Sequence, residues 1–196
     1  MVTTDKPVRN LADLKGMRIR TSAGLQTQQL KALGAAPMTI PFNDVYDAAQ
    51  KGTLEGAAAN SAQLTNSRLF EVIHYRTDLN LGTTTMFTMI MNKNKWNSLP
   101  KDVQDGIMSV SGMAGASFAG EQGFGFGVEQ ELTDLIKKGN YKFETVQPDA
   151  GEYAKWVEIG GKPVWNTWLA GLKAKGLDGQ KALDKLLAIT KKYDVK

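Results

Sequence analysis

The sequence predicts a parallel α/β fold, and three features carry that expectation. Between Leu11 and Asn60, short strand-like runs alternate with helical ones. Each connection is short and punctuated by glycine, at Gly16, Gly34 and Gly52. The third extended run, Thr53-Leu-Glu-Gly-Ala-Ala-Ala59, is built from small residues that let neighbouring backbones approach closely. Strands and helices alternating at this spacing imply parallel βαβ units.

Asn10 is placed to cap a short turn through Leu11–Lys15, which Gly16 ends. Met17–Thr21 reads as a strand and Ser22-Ala-Gly24 as a turn. Leu25–Leu33 has helical spacing and stops at Gly34. Ala36–Ile40 is a second short strand, and Pro41-Phe42 leads to Asn43, a natural N-cap, with Asp44 favourable to the helix dipole. Ser61–Arg68 reads as a helix running into the apolar segment Leu69–Ile73. Thr83–Met91 is a long β-prone run, expected to be a strand passing between two lobes.

Beyond it, Ser98 and Pro100 signal a helix start. Val103–Lys138 keeps helical periodicity, but glycine intrudes at Gly112, Gly115, Gly120, Gly123, Gly125 and Gly127, and each interior glycine costs up to about 1 kcal/mol against alanine. A kink or break is expected near Gly120–Gly127. Tyr141–Val146 alternates as a strand, and Pro148-Asp149 starts another helix through Trp156. Trp165, Trp168 and Leu169 form an apolar stripe at i, i+3, i+4 spacing, expected to lie in the core. Asp178 is placed to cap an amphipathic closing helix to Tyr193.

Composition narrows the function. The chain of 196 residues is long enough for one good core or two small lobes. Its net charge of +4 comes from dispersed lysines and arginines, without the clustered footprint of a nucleic-acid binder. The absence of cysteine removes disulfides, thiolate metal sites and cysteine nucleophiles. No apolar run is long enough to cross a bilayer, and Met1–Lys6 has no apolar core of an export signal; a mature fragment would read the same way. His74, the one histidine, cannot build a multi-histidine metal site, and no nucleophile-elbow pattern accompanies it. Gly120-Glu-Gln-Gly-Phe-Gly-Phe-Gly127 looks like a dinucleotide loop but follows no strand. The chain therefore reads as a binding protein rather than an enzyme, with no cofactor and no metal.

One residue stands out. Arg20 lies at the end of an apolar strand and directly before a small-residue turn. In open α/β sheets, ligands bind beyond the carboxyl ends of strands, and a planar guanidinium there suits a carboxylate. The same placement also fits a surface arginine on a strand edge.

The ordered segments Asp13-Leu-Lys-Gly-Met-Arg-Ile-Arg20, Leu30-Lys-Ala-Leu-Gly-Ala35, Pro41-Phe-Asn-Asp-Val-Tyr46 and Gly52-Thr-Leu-Glu-Gly56 together resemble the solute-receptor subunit of tripartite ATP-independent periplasmic (TRAP) transporters. Leu69-Phe-Glu-Val-Ile-His-Tyr75 and Met91-Asn-Lys-Asn-Lys-Trp96, leading to Leu99-Pro100, extend the likeness, which thins after about Gly120. The resemblance implies a periplasmic-binding-protein-like lobe with a short, mostly parallel sheet, a long hinge strand and helix, and C-terminal helices. Residues 1–80 would form a carboxylate-holding α/β lobe. Residues 81–140 would supply the hinge strand and long helix, and residues 141–196 a strand and helices packing back on the lobe.

It further implies periplasmic location, partnership with the transporter's membrane components, and capture of a small organic acid. The family's arginine clamp maps onto Arg20 and its ligand-packing aromatic onto Phe42. A polar contact maps by ungapped counting onto Ala59, with Asn60 one step on; this departure fits a less polar solute. Family members begin with a further lobe ahead of the position matching Met1, so the N-terminal lobe is expected to be missing here. Loss of that wall implies weak solute binding by this chain alone. The alternative is a structural module that does not bind solute and self-associates through the apolar face of Val103–Leu135.

Overall fold

The computed structural model describes residues 1–22, 24–79 and 88–193. The first half alternates as expected: β1 (Val2–Thr3), α1 (Leu11–Leu14), β2 (Arg18–Thr21), α2 (Leu25–Ala32), β3 (Ala36–Thr39), α3 (Val45–Gln50), β4 (Gly56–Ala57), α4 (Ser61–Asn66) and β5 (Tyr75–Thr77). Then come α5 (Lys93–Asn97), α6 (Lys101–Ser109), α7 (Gly112–Ala119), α8 (Phe126–Gly139), β6 (Glu144–Val146), α9 (Ala150–Trp156), α10 (Lys162–Lys173) and α11 (Gly179–Tyr193).

The six strands form one sheet in the order β3-β2-β4-β1-β5-β6. β2 is parallel to β3 and β4, and β5 is parallel to β6. β1 is antiparallel to both of its neighbours, β4 and β5. The sheet is thus mostly parallel, and one two-residue strand running the other way joins its halves. β1 carries no alternation long enough to be read from sequence.

Strand alternation divides the sheet between two cores. On one face Val2 and Ala57 pack with Val45, Leu54, Leu64, Leu69, Phe70, Ile73 and Leu132, so α3, α4 and α8 cover that side. On the other face Ile19 packs with Leu14, Met17, Leu30, Leu33 and Trp156, so α1, α2 and α9 cover it. Besides Leu132 and Trp156 in the two cores, the C-terminal region joins this body through β6 and Gly160. β6 extends the sheet, and Gly160 lies so close to Leu33 that a Cβ there would stand 2.9 Å from Leu33 Cγ.

Several local expectations hold. Asn10 caps α1 in a reciprocal capping box with Asp13. Asp178 Oδ1 accepts from the Lys181 N–H, 3.1 Å away, at the start of α11. The glycine-rich region breaks the helical rod: a π-turn at Gly120–Phe124 separates α7 from α8.

Others are corrected. Asn43 does not cap α3, because Phe42–Asp44 forms a 3₁₀ turn ahead of it. Ser98 ends α5 instead of starting α6, which begins after Pro100. The long helix is interrupted a second time, at Val110–Ser111. The strand expected over Tyr141–Val146 is confined to Glu144–Val146. Residues 83–87 of the expected hinge strand lie outside the described residues, and Thr88–Met91 has no regular secondary structure.

The Trp165, Trp168 and Leu169 stripe is not core: Trp168 is 39% exposed, and Trp165 and Leu169 are half-buried. The fully buried tryptophan is Trp156, which falls on the α2 face of the sheet. Helical spacing marks an apolar face without saying whether another element reaches it.

Candidate functional site

The carboxyl ends of β3, β2 and β4 lie side by side and define one edge of the sheet. Arg20 is the penultimate residue of β2, in register with Met38 of β3 and Ala57 of β4. Because Ile19 turns into the α2-side core, the alternation sends Arg20 to the opposite face, the side of α3 and α4. Its neighbour by alternation, Arg18, sits at the other end of the strand, exposed and paired with Glu55.

Arg20 is only 5% exposed. Its Nε–H donates to the Ile40 carbonyl at 3.1 Å, and Nη1 donates to Ser22 Oγ at 3.1 Å. The Phe42 ring packs on it, with its centroid 5.1 Å from Cζ. Among the described residues no carboxylate pairs with it, in contrast to Arg9, Arg18, Arg68 and Arg76. Burial draws its pKa down from the ordinary arginine value. A guanidinium stays protonated in proteins, so this edge holds a buried cation without a counter-charge among the described residues.

Phe42 and Ala59 are partly buried against the same core as Val45 and Ala57, which places them on the Arg20 face. The Arg20 carbonyl accepts from the Ala58 N–H at 2.8 Å, so Ala59 and Asn60 emerge directly beside the end of β2. Asn60 is committed to structure: it caps α4, its Oδ1 accepting from Gln63 N–H at 2.9 Å while its own N–H donates to Gln63 Oε1 at 3.1 Å. The four residues singled out by sequence thus meet at one edge, with Arg20 and Phe42 in direct contact and Asn60 held as a helix cap.

Sequence reasoning missed the groups that hold this arrangement. Ser22 was legible only as a turn residue, and the Ile40 carbonyl carries no sequence signal. Arg76 on β5 pairs with Glu129 of α8 at 2.8 Å, and Glu129 also accepts from Ser61 at the first turn of α4. Burial alone would raise the Glu129 pKa, but hydrogen bonds from Arg76 and Ser61 outweigh it and draw it down. This cluster ties α8 to the helix that Asn60 caps, through residues far apart in sequence.

Two shallow hollows lie elsewhere. One, about 330 Å³, is lined by Thr4, Asp5, Gln50, Glu71 and His74 at the opposite end of the strands. The other, about 360 Å³, lies between α10 and α11. His74 is half-buried, with Nδ1 unpartnered, and no cluster of metal-ligating side chains exists among the described residues. No described helix is long and apolar enough to cross a membrane.

A family profile described as bacterial extracellular solute-binding protein, family 7 (DctP), matches residues 1–166. The chain belongs to this family of TRAP solute-binding proteins. It is 32% identical over 164 residues to a solute-binding protein of Sulfitobacter sp. (strain NAS-14.1), covering 79% of this chain and 49% of that protein. It is 30% identical over 146 residues to the C4-dicarboxylate-binding periplasmic protein DctP of Rhodobacter capsulatus, covering 73% of this chain and 41% of that one. The chain therefore spans about half the length of the curated relatives it matches.

Among solved structures, it superimposes on a TRAP periplasmic solute-binding protein of Desulfovibrio salexigens with a TM-score of 0.79 and 29% identity, over 98% of this chain and 58% of that one. A marine metagenome TRAP protein in complex with metahydroxyphenylacetate gives 0.81 at 25% identity, over 99% of this chain and 60% of that one. A Bordetella bronchiseptica protein with bound mandelate gives 0.76 at 25% identity, over 98% of this chain and 60% of that one. The family and these neighbours are solute-binding proteins, not enzymes.

Proposed function

We propose that this chain is the carboxylate-holding lobe of a TRAP-type receptor. It captures a small organic acid in the periplasm for the transporter's membrane components. The observation that carries the reading is Arg20: a nearly buried guanidinium at the carboxyl edge of a parallel sheet, with no carboxylate partner among the described residues. An unpaired buried cation is costly, and a protein retains one where a ligand completes it. Phe42 and Ala59 are the contacts beside it, and Asn60 shapes the rim as the cap of α4. Relatives that hold metahydroxyphenylacetate and mandelate take acids with a single carboxylate, in keeping with one arginine as anchor.

In this chain alone a carboxylate on the nearly buried Arg20 keeps its outer side in water, which screens the pair. The expected affinity is therefore millimolar or weaker. Titration with acetate, followed by NMR at the Arg20 Nε–H, should give a saturable shift that is lost in Arg20→Met. A shift that survives the substitution, or no shift at all, refutes the site. Micromolar affinity by calorimetry would refute the weak-binding expectation alone.

A second reading rests on a separate observation. Along α6 and α7, Met108, Val110, Met113 and Phe118 are 59%, 70%, 80% and 70% exposed. Large apolar side chains left this exposed favour an interaction face, and a second copy of the chain is the occupant this reading names. Light scattering at rising concentration should then show dimers that Met113→Lys with Phe118→Lys disperses. A monomer at millimolar concentration would end this reading.

A further inference from the structure

We infer that the closing helix α11 is a docking surface for an anionic lipid bilayer. It lies along the bilayer with its leucines in the acyl boundary and its lysines among the headgroups. This surface is separate from the Arg20 edge and goes beyond solute capture.

Charge is the first sign. Residues 1–172 hold seventeen lysines and arginines and seventeen aspartates and glutamates, so they carry no net charge. Residues 173–196 hold seven lysines against three aspartates, and the whole net charge of +4 falls there. Lys173, Lys175, Lys181 and Lys185 are exposed, and among the described residues none of them is ion-paired. The two acids beside them are engaged elsewhere. Asp178 Oδ1 accepts from the Lys181 backbone N–H, and Asp184 Oδ1 accepts from Gln180 Nε2 at 2.7 Å.

Shape is the second. α11 starts pressed on α10: a Cβ on Gly179 would stand 2.7 Å from Leu172 Cδ1 and 3.1 Å from Leu169 Cδ2. Over residues 180–189 only Leu183 is half-buried, and every other residue is exposed. Leu186 and Ile189, one turn apart, are 55% and 47% exposed. Lys185 is one turn from both Lys181 and Ile189, so a lysine row borders the apolar one on the helix surface. A lysine-rich helix with one apolar stripe suits a bilayer interface, where the lysine stems run along the apolar surface and the ammonium groups reach phosphates.

Other occupants fit one half of this face only. A nucleic-acid backbone would use the lysines and leave Leu186 and Ile189 in water. A second copy would set the chain's entire net charge against itself. An anionic bilayer attracts the basic segment and also takes up the apolar stripe. Held there, a receptor lobe would meet the transporter's membrane components by searching a plane instead of a volume.

The test is co-sedimentation of the whole chain with vesicles of phosphatidylcholine alone or with about 30% phosphatidylglycerol, at neutral pH and about 0.1 M salt. The anionic vesicles should bind about tenfold or more tightly than the neutral ones, and about 0.5 M salt should release most of the chain. Leu186→Ser with Ile189→Ser changes only exposed side chains and should weaken binding about tenfold. Lys181→Gln with Lys185→Gln should do the same. Met113→Ser with Phe118→Ser, on the exposed apolar side chains of α7, should bind as the parent does. Equal binding to both vesicle types, or none at millimolar lipid, overturns the inference. So does parent-like binding by the Leu186 and Ile189 variant, or binding lost through the α7 changes. A dimer formed without vesicles and dispersed by the Leu186 and Ile189 changes would make a second copy the occupant, and would overturn it too.

Discussion

Replacing Gly56 with alanine should be among the most damaging single-methyl additions this chain can receive. Gly56 is buried in β4, flanked by antiparallel β1 and parallel β2, opposite Thr3 and Ile19. A Cβ there would stand 2.4 Å from the Val2 carbonyl oxygen and 2.9 Å from both Ile19 Cδ1 and Thr3 Cγ2. Ile19 could rotate, but Thr3 is fixed by its hydroxyl bond to Lys6 O at 2.5 Å, and the Val2 oxygen is backbone. Relief requires β1 to move away from β4 by about 0.6 Å or more, at the closest contact a packed core tolerates.

That motion drives β1 into β5, where Thr77 N–H already donates to Met1 O at 2.8 Å and His74 N–H to Thr3 O at 3.0 Å. Held between two strands, β1 has nowhere to go. The cost should sit at the upper end of overpacking, about 3 kcal/mol. With a urea slope of about 2 kcal/mol/M, the unfolding midpoint should fall by about 1.5 M. The control is Gly106→Ala, in the exposed middle of α6, where an added Cβ meets nothing within 4 Å. It should stabilise by about 0.5–1 kcal/mol. A Gly56→Ala midpoint within 0.3 M of the parent would refute the packing argument.

Three further outcomes are expected. Glu71 accepts from Tyr46 Oη at 2.9 Å, from Arg68 and from Tyr141 Oη at 3.2 Å, and the Tyr46 bond is the leading cause of its lowered pKa. A carboxyl whose folded pKa lies below its unfolded value stabilises above the unfolded value and loses that contribution as pH falls through the folded one. Glu71→Gln should therefore lower stability at pH 7 and flatten the acid limb below about pH 4.5, read as urea midpoint against pH; an unchanged limb would count against the cluster. Glu129→Gln breaks the half-exposed pair with Arg76 and should cost about 1 kcal/mol. It should also speed limited proteolysis within residues 110–125 as α8 loosens from α4, and a parent-like digestion pattern would contradict the tie. Trp156 is fully buried with its indole N–H unpartnered among the described residues, so Trp156→Ala should cost about 4 kcal/mol and Trp156→Phe under about 1.5 kcal/mol, since the smaller ring removes the orphan donor. Equal losses from both would show the indole nitrogen to be satisfied.

Most local elements between Leu11 and Asn60, and their order, are legible in the chain alone. Asn10, Gly16, Gly34 and Asp178 act within a few residues of themselves, through caps and turns whose geometry is local. It also placed Arg20 and Phe42 at strand ends, because strand termini and turn residues are legible in a single chain. What it could not contain was which apolar faces meet a neighbour. Trp156 and Trp168 lie on similar helical patterns, yet only Trp156 falls over the sheet. Antiparallel β1, too short to show a period, takes its place only because β4 and β5 leave a gap of one strand between them. Only folding leaves Arg20 buried without a carboxylate among the described residues while Arg76 finds one in Glu129. Burial and charge pairing are properties of surfaces brought together by folding, and partners more than fifty positions apart leave no periodic trace in the chain.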